Sequence, residues 1–173
     1  MNKNIIKITS CLITLGAVTS SCYGYSKTLK DEEYVSLVNN YISETSDKVN
    51  HKGGSQWKAL FGNVDDDYLK PELDKLNLLK SGTEGLKLRI ADLKIRNKDT
   101  KEDNNKIISL YGDIISLLDI DITAKEKILN SKADTSEKYG MIKSLDHSIE
   151  KKVEKKFYEV SMILQNIEVE SIK

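Results

Sequence analysis

The sequence predicts an all-α fold, an elongated antiparallel bundle of four to five helices with a long C-terminal helix. Apolar residues recur at intervals of three and four rather than two, the spacing that gathers them on one face of a helix. A single proline, Pro71, stands against abundant Leu, Lys and Glu, all good helix formers. Short polar clusters rich in Ser, Thr, Asn, Asp and Gly separate the periodic stretches, as helix caps and connections do.

The first stretch is of another kind. Met1 to Lys7 holds two lysines and no acid, and Ile8 to Val18 is a run of 11 mostly apolar or small residues. That pattern is a secretory signal, too short to span a bilayer. Thr19, Ser20 and Ser21 lead into Cys22 as in a relaxed lipoprotein box, although no Leu stands three residues before it. Residues 1–21 are therefore expected to be a lipoprotein signal peptide, residues 22–29 a lipidated tether and residues 30–173 a single helical domain. Acyl chains on Cys22 contribute roughly 0.8 kcal/mol per buried CH₂, so more than one gives stable attachment. Ordinary cleavage nearby, with Cys22 a bystander, is the alternative. Cys11 lies inside the apolar run and is lost with it.

Thr28 and Asp31 read as a capping box for a first helix over about 30–49, with Tyr34, Leu37 or Val38, Tyr41, Ile42, Thr45 and Val49 on its buried face. Gly53 and Gly54 make a loop of Asn50 to Gln56. Trp57, Leu60 and Phe61 then fall within five residues, either plugging the end of the bundle or standing exposed for a partner. Asn63, Asp65, Asp67 and Asp74 echo a calcium loop, but the sixth position is Tyr68, the last ligand is not Glu and Pro71 interrupts, so no metal site is expected. Acids ahead of Pro71 suit a helix N-terminus instead, for a helix over about 70–80 that stops at Ser81-Gly82.

Leu86, Leu88, Ile90, Leu93 and Ile95 predict a helix over about 84–97. Thr100 and Asp103 read as the cap of the next, whose Ile107, Ile108, Leu110, Tyr111, Ile114, Ile115, Leu117 and Leu118 make it the most buried. It either breaks near Asp119 to Asp121 or runs on to Asn130. Asn130 to Lys138 is the next polar connection, with Asp134 or Thr135 as cap. From Ser136 to about Val169 an unbroken row of apolar positions predicts one helix, on the order of 50 Å long.

Composition excludes several functions. Residues 1–21 carry Lys3 and Lys7 and no acid, so their removal leaves 152 residues with 25 basic and 27 acidic side chains, a net charge of −2. A nucleic-acid-binding domain normally has a basic surplus. With Cys22 acylated no thiol remains for a disulfide, a zinc site or a nucleophile. His51 and His147 form no His-x-x-x-His pair, and neither a Gly-x-Ser-x-Gly elbow nor a phosphate-binding glycine loop is present. No catalytic residue, cofactor or metal ligand is expected. The chain reads as a binding protein, with its connections displayed at the two ends of the bundle.

The leader MNKNIIKITSCLITLGAVTSSC, the Lys/Ile/Asn-rich composition and the helical body together resemble the small surface lipoproteins of relapsing-fever Borrelia. The resemblance implies an outer-membrane, cell-surface location, capture of host complement factor H, and through it escape from complement. It also implies possible plasminogen binding, for which C-terminal Lys173 offers the ammonium and carboxylate that kringle lysine sites accept; a lysine-rich chain also ends in Lys by chance. The partner site is assigned to Lys132, Asp134, Glu137 and Lys138, mixed charges on an exposed turn, with Asn50 to Gln56 as competitor. Other readings are a matrix adhesin for fibronectin or glycosaminoglycan, an antigenic or structural coat lipoprotein without a specific ligand, and a periplasmic lipoprotein.

Overall fold

The computed structural model of the chain describes residues 28–52 and 69–171, which form four helices: α1 (Asp31–Lys52), α2 (Leu69–Ala91), α3 (Lys98–Leu129) and α4 (Thr135–Ser171). There is no strand among the described residues, only an isolated parallel bridge between Leu29 and Ile95. Cys22, Trp57, Leu60, Phe61, Asn63, Asp65, Asp67 and Lys173 lie outside the described residues. No described helix is long and apolar enough to cross a membrane.

Adjacent helices are antiparallel. Arg89 of α2 reaches Glu44 of α1 at 2.9 Å and lies 3.6 Å from the centre of the Tyr41 ring. Glu72 and Lys80 of α2 meet Lys125 and Asp119 of α3, and Asp113 of α3 meets Lys156 of α4 at 2.8 Å. The N-terminus of α1 and the C-termini of α2 and α4 thus share one end with the start of α3. The other end, called distal here because it lies farthest from Leu29, carries the α3–α4 turn. At 1.5 Å per residue, α1 from its Arg89 contact to Lys52 rises only about 12 Å, so it stops level with the middle of α2. Among the described residues the distal third of the bundle consists of α2, α3 and α4.

One apolar core runs along the bundle, built from Tyr34, Val38, Leu86, Ile90, Ile107, Tyr111, Ile114, Val153, Phe157, Val160, Leu164 and their neighbours. Burial of such side chains contributes about 1.5–3 kcal/mol each. Leu29 belongs to this core and is not part of a free tether. Its N–H donates to the Lys94 carbonyl at 2.7 Å, and its own carbonyl accepts from the Arg96 N–H at 3.0 Å.

Several local expectations are corrected. The break at Ser81-Gly82 does not occur, and α2 runs through it to Ala91, short of the expected end at 97. Ser81 and Thr83 turn their hydroxyls back onto the Leu78 and Leu79 carbonyls, so their polar groups are satisfied inside the helix. Packing of Leu73, Leu76, Leu79, Leu86 and Ile90 then outweighs glycine's penalty of about 1 kcal/mol each. Neither predicted capping box forms. The Lys30 N–H is taken by Glu33 at 3.1 Å, while Asp31 accepts from Asn97 and Thr100 across the bundle end. The cap of α3 is Asn97, whose side chain accepts from the Asp99 N–H, which starts α3 two residues before Thr100. Of the two alternatives at Asp119 to Asp121, the structure takes the unbroken helix.

Two buried tyrosines make opposite predictions. Tyr34 donates its hydroxyl to Asn104 Oδ1 at 2.9 Å, and burial together with the charge of Asp103 pushes its phenol up, keeping it a neutral donor. The Tyr111 hydroxyl is buried without a partner, and its phenol is likewise pushed up by burial. Tyr34→Phe should destabilise by about 1–3 kcal/mol, because Asn104 loses its donor, whereas Tyr111→Phe should be neutral or stabilising. Urea unfolding of both variants checks this, and equal losses would contradict it.

Candidate functional site

The distal end is held by two layers, a buried charge cluster and the turn above it. Along α3 the core positions Ile107, Tyr111, Ile114 and Leu118 are followed in the same register by Asp121 and Lys125, and on α4 Asp146 stands between Ile142 and Ile149. Helical periodicity therefore sends charged side chains into the interior. Lys125, 2% exposed, has its ammonium 2.8 Å from Glu72, 3.0 Å from Asp121 and 2.7 Å from Asp146. One cation thus ties together three helices.

Three carboxylates around one ammonium leave the cluster formally two charges negative. Burial alone would push Lys125 down, but the three carboxylates outweigh it and hold its affinity for the proton above the ordinary value. Burial raises Glu72 and Asp121 above the ordinary carboxylate range, and the Lys125 charge only partly offsets it. Geometry agrees with this imbalance. Asp121 Oδ1 accepts no hydrogen bond, and Glu72 Oε1, although within ion-pair distance of Lys125, receives none that is well directed. Chemically the cluster is a lock: its ammonium is enclosed, and the space between the carboxylates is filled by it. No group of three or more His, Cys, Asp or Glu among the described residues is arranged to hold a metal ion.

Above the cluster the α3–α4 turn is closely tied. Asn130 closes α3 by donating its backbone N–H and side-chain amide to the Glu126 carbonyl, at 3.1 and 2.9 Å. Ser131 donates its N–H and its hydroxyl to the Ile128 carbonyl. Asp134 is the cap of α4, accepting from the Glu137 N–H at 2.9 Å.

Of the four residues assigned to a partner, Lys132, Asp134 and Glu137 are exposed together on this turn. Lys138 is not: it is 6% exposed, and its ammonium donates to the Leu129 carbonyl at 3.2 Å. There it meets the negative end of the α3 dipole, a structural role that removes it from the surface. Two residues absent from that assignment join the exposed set, Tyr139 at 53% and Met141 at 48%. They are legible in retrospect, since both fall off the buried row Lys138, Ile142, Asp146, Ile149. Exposed aromatic and Met side chains are enriched at protein-interface centres, with charged residues such as Lys132, Asp134 and Glu137 suited to the rim.

No protein-family model, curated protein or solved structure matches the chain.

Proposed function

We propose that the chain is a lipoprotein held by acyl chains on Cys22 at the cell surface, and that its distal end captures a host protein, complement factor H. One observation carries the reading. The α3–α4 turn, with Lys132, Asp134, Glu137, Tyr139 and Met141 exposed, lies at the opposite end of the bundle from Leu29, the start of the core and the root of any N-terminal anchor. A bundle anchored through Cys22 would present that turn outward. Its capped, hydrogen-bonded backbone means that little ordering entropy is lost when a partner binds. Plasminogen is a lesser reading, resting on Lys173 alone.

The test is capture from human serum on the soluble fragment from Tyr23 onward, followed by surface plasmon resonance with purified factor H. Lys132→Glu, Glu137→Lys and Tyr139→Ala combined should weaken capture by at least tenfold, as loss of an interface centre does, with the helical circular-dichroism signal unchanged. Asp134 is spared, since losing its cap would itself cost about 1 kcal/mol of helix stability. Unchanged capture rejects the turn as the site. Failure of serum to yield any ligand favours the coat-protein reading, and mass spectrometry of the native polypeptide decides whether Cys22 is acylated.

A further inference from the structure

We propose that the outward face of α4 carries a second site, a basic ridge that takes a linear sulfated polysaccharide. Lys143, His147, Lys151 and Lys155 follow one another at four-residue intervals, and all four are exposed. Residues four apart stand on successive turns, so the ridge is continuous and runs about 18 Å along the helix. Exposed Lys152 adds charge on one flank, where Ser144 and Ser148, also exposed, border the ridge with small hydroxyl groups.

These lysines differ from most cations that lie against a neighbouring helix. Lys80, Arg89 and Lys156 are neutralised by Asp119, Glu44 and Asp113 of adjacent helices. Among the described residues, Lys143, Lys151, Lys152 and Lys155 enter no ion pair. Two of the nearby acids are turned to other cations. Asp146 is turned inward onto Lys125 at 2.7 Å, and Glu159, four residues past Lys155, lies 3.9 Å from Lys156. Lys151 and Lys155, like charges four apart on the helix, repel, and a bound anion relieves that repulsion.

Shape selects the class of anion. A four-residue row drifts about 40° per step at 3.6 residues per turn, so the direction from Lys143 to Lys155 swings through about 120°. A flat bilayer meets only part of such a ridge. Duplex nucleic acid, itself convex and stiff over about 150 base pairs, touches it at one or two points. A single flexible polysaccharide can wind along Lys143, Lys151 and Lys155, its sulfates paired by the ammonium groups and its hydroxyls by the serines. Tyr158, 63% exposed and one turn past Lys155, extends the strip with a flat ring that suits a sugar face. This site is separate from the distal turn and does not depend on factor H capture.

Chromatography of the purified protein on immobilised heparin tests it. The chain should be retained at low salt and released by a salt gradient. Lys143→Gln, Lys151→Gln and Lys155→Gln combined should bind roughly tenfold more weakly, and the slope of log affinity against log salt should fall by about two to three. Lys101→Gln with Lys127→Gln, also exposed but off the ridge, should elute with the wild type. Lysine acetylation mapped by mass spectrometry gives a check on the unmutated chain: heparin should protect Lys143, Lys151 and Lys155 more than Lys127. No retention at low salt, co-elution of the triple variant with the wild type, or protection elsewhere overturns the site. Equal competition by desulfated heparin, or equal affinity for duplex DNA, overturns its assignment to a sulfated chain.

Discussion

Replacing Lys125 with Met should lower the stability of the bundle by about 3–5 kcal/mol, the penalty for leaving buried charges without their partner. For a chain of this size that is roughly 6–20 °C in melting temperature, at about 2–4 °C per kcal/mol. Methionine matches the lysine stem in length, so the loss is electrostatic: Glu72, Asp121 and Asp146 remain 90% or more buried by side chain with no cation among them.

Glu72→Gln should behave in the opposite way. Because burial raises Glu72 above its ordinary value, the folded state prefers its neutral form, and a neutral amide should leave the protein as stable at pH 7 as the wild type or more so. The pH dependence follows from the same direction. For carboxylates raised on folding, the stability contribution is complete below the ordinary carboxylate pKa and is lost as pH rises through the raised one. Acidification from pH 7 toward pH 4 should therefore stabilise the wild type relative to Glu72→Gln, and it should narrow the gap between wild type and Lys125→Met, whose carboxylates can then take protons. Thermal melts of the three proteins across that range check both statements. A Glu72→Gln variant that melts well below the wild type at pH 7 would show instead that the Lys125 ion pair, not burial, dominates.

The second large effect is expected in the core. Phe157 is buried on α4 and meets Tyr111 of α3 edge-on, with ring centres 6.3 Å apart and planes at 70°. Phe157→Ala should cost about 3–5 kcal/mol, from the lost transfer energy, the cavity left behind and the broken aromatic contact. Tyr158→Ala, one residue away but exposed, should stay within about 0.5 kcal/mol. Urea titration should show a lower midpoint for Phe157→Ala with an unchanged slope. Similar losses for the two variants would contradict the placement of the core face.

What a short window of sequence determines is the burial of a stripe. Ile142, Ile149, Val153, Phe157, Val160 and Leu164 recur at helical spacing, which was enough to predict the class, the single long α4 and the position of the α3–α4 turn. Asp134 was legible as a possible cap because capping is local chemistry, a carboxylate meeting N–H groups three residues away. What depends on helices meeting was not legible. Ser81-Gly82 reads as a stop until α1 and α3 pack against the helix that crosses it. Lys138 reads as a surface charge until its stem lies over the end of α3. Asp121 and Lys125 have the same i,i+4 spacing as the ion pairs of solvated helix faces. Only Glu72 from α2 and Asp146 from α4, brought in by long-range register, turn that pair into an interior lock. The physical reason is one of range: side-chain periodicity is written over a few residues, whereas the environment that decides a charge's solvation is assembled from chain segments tens of residues apart.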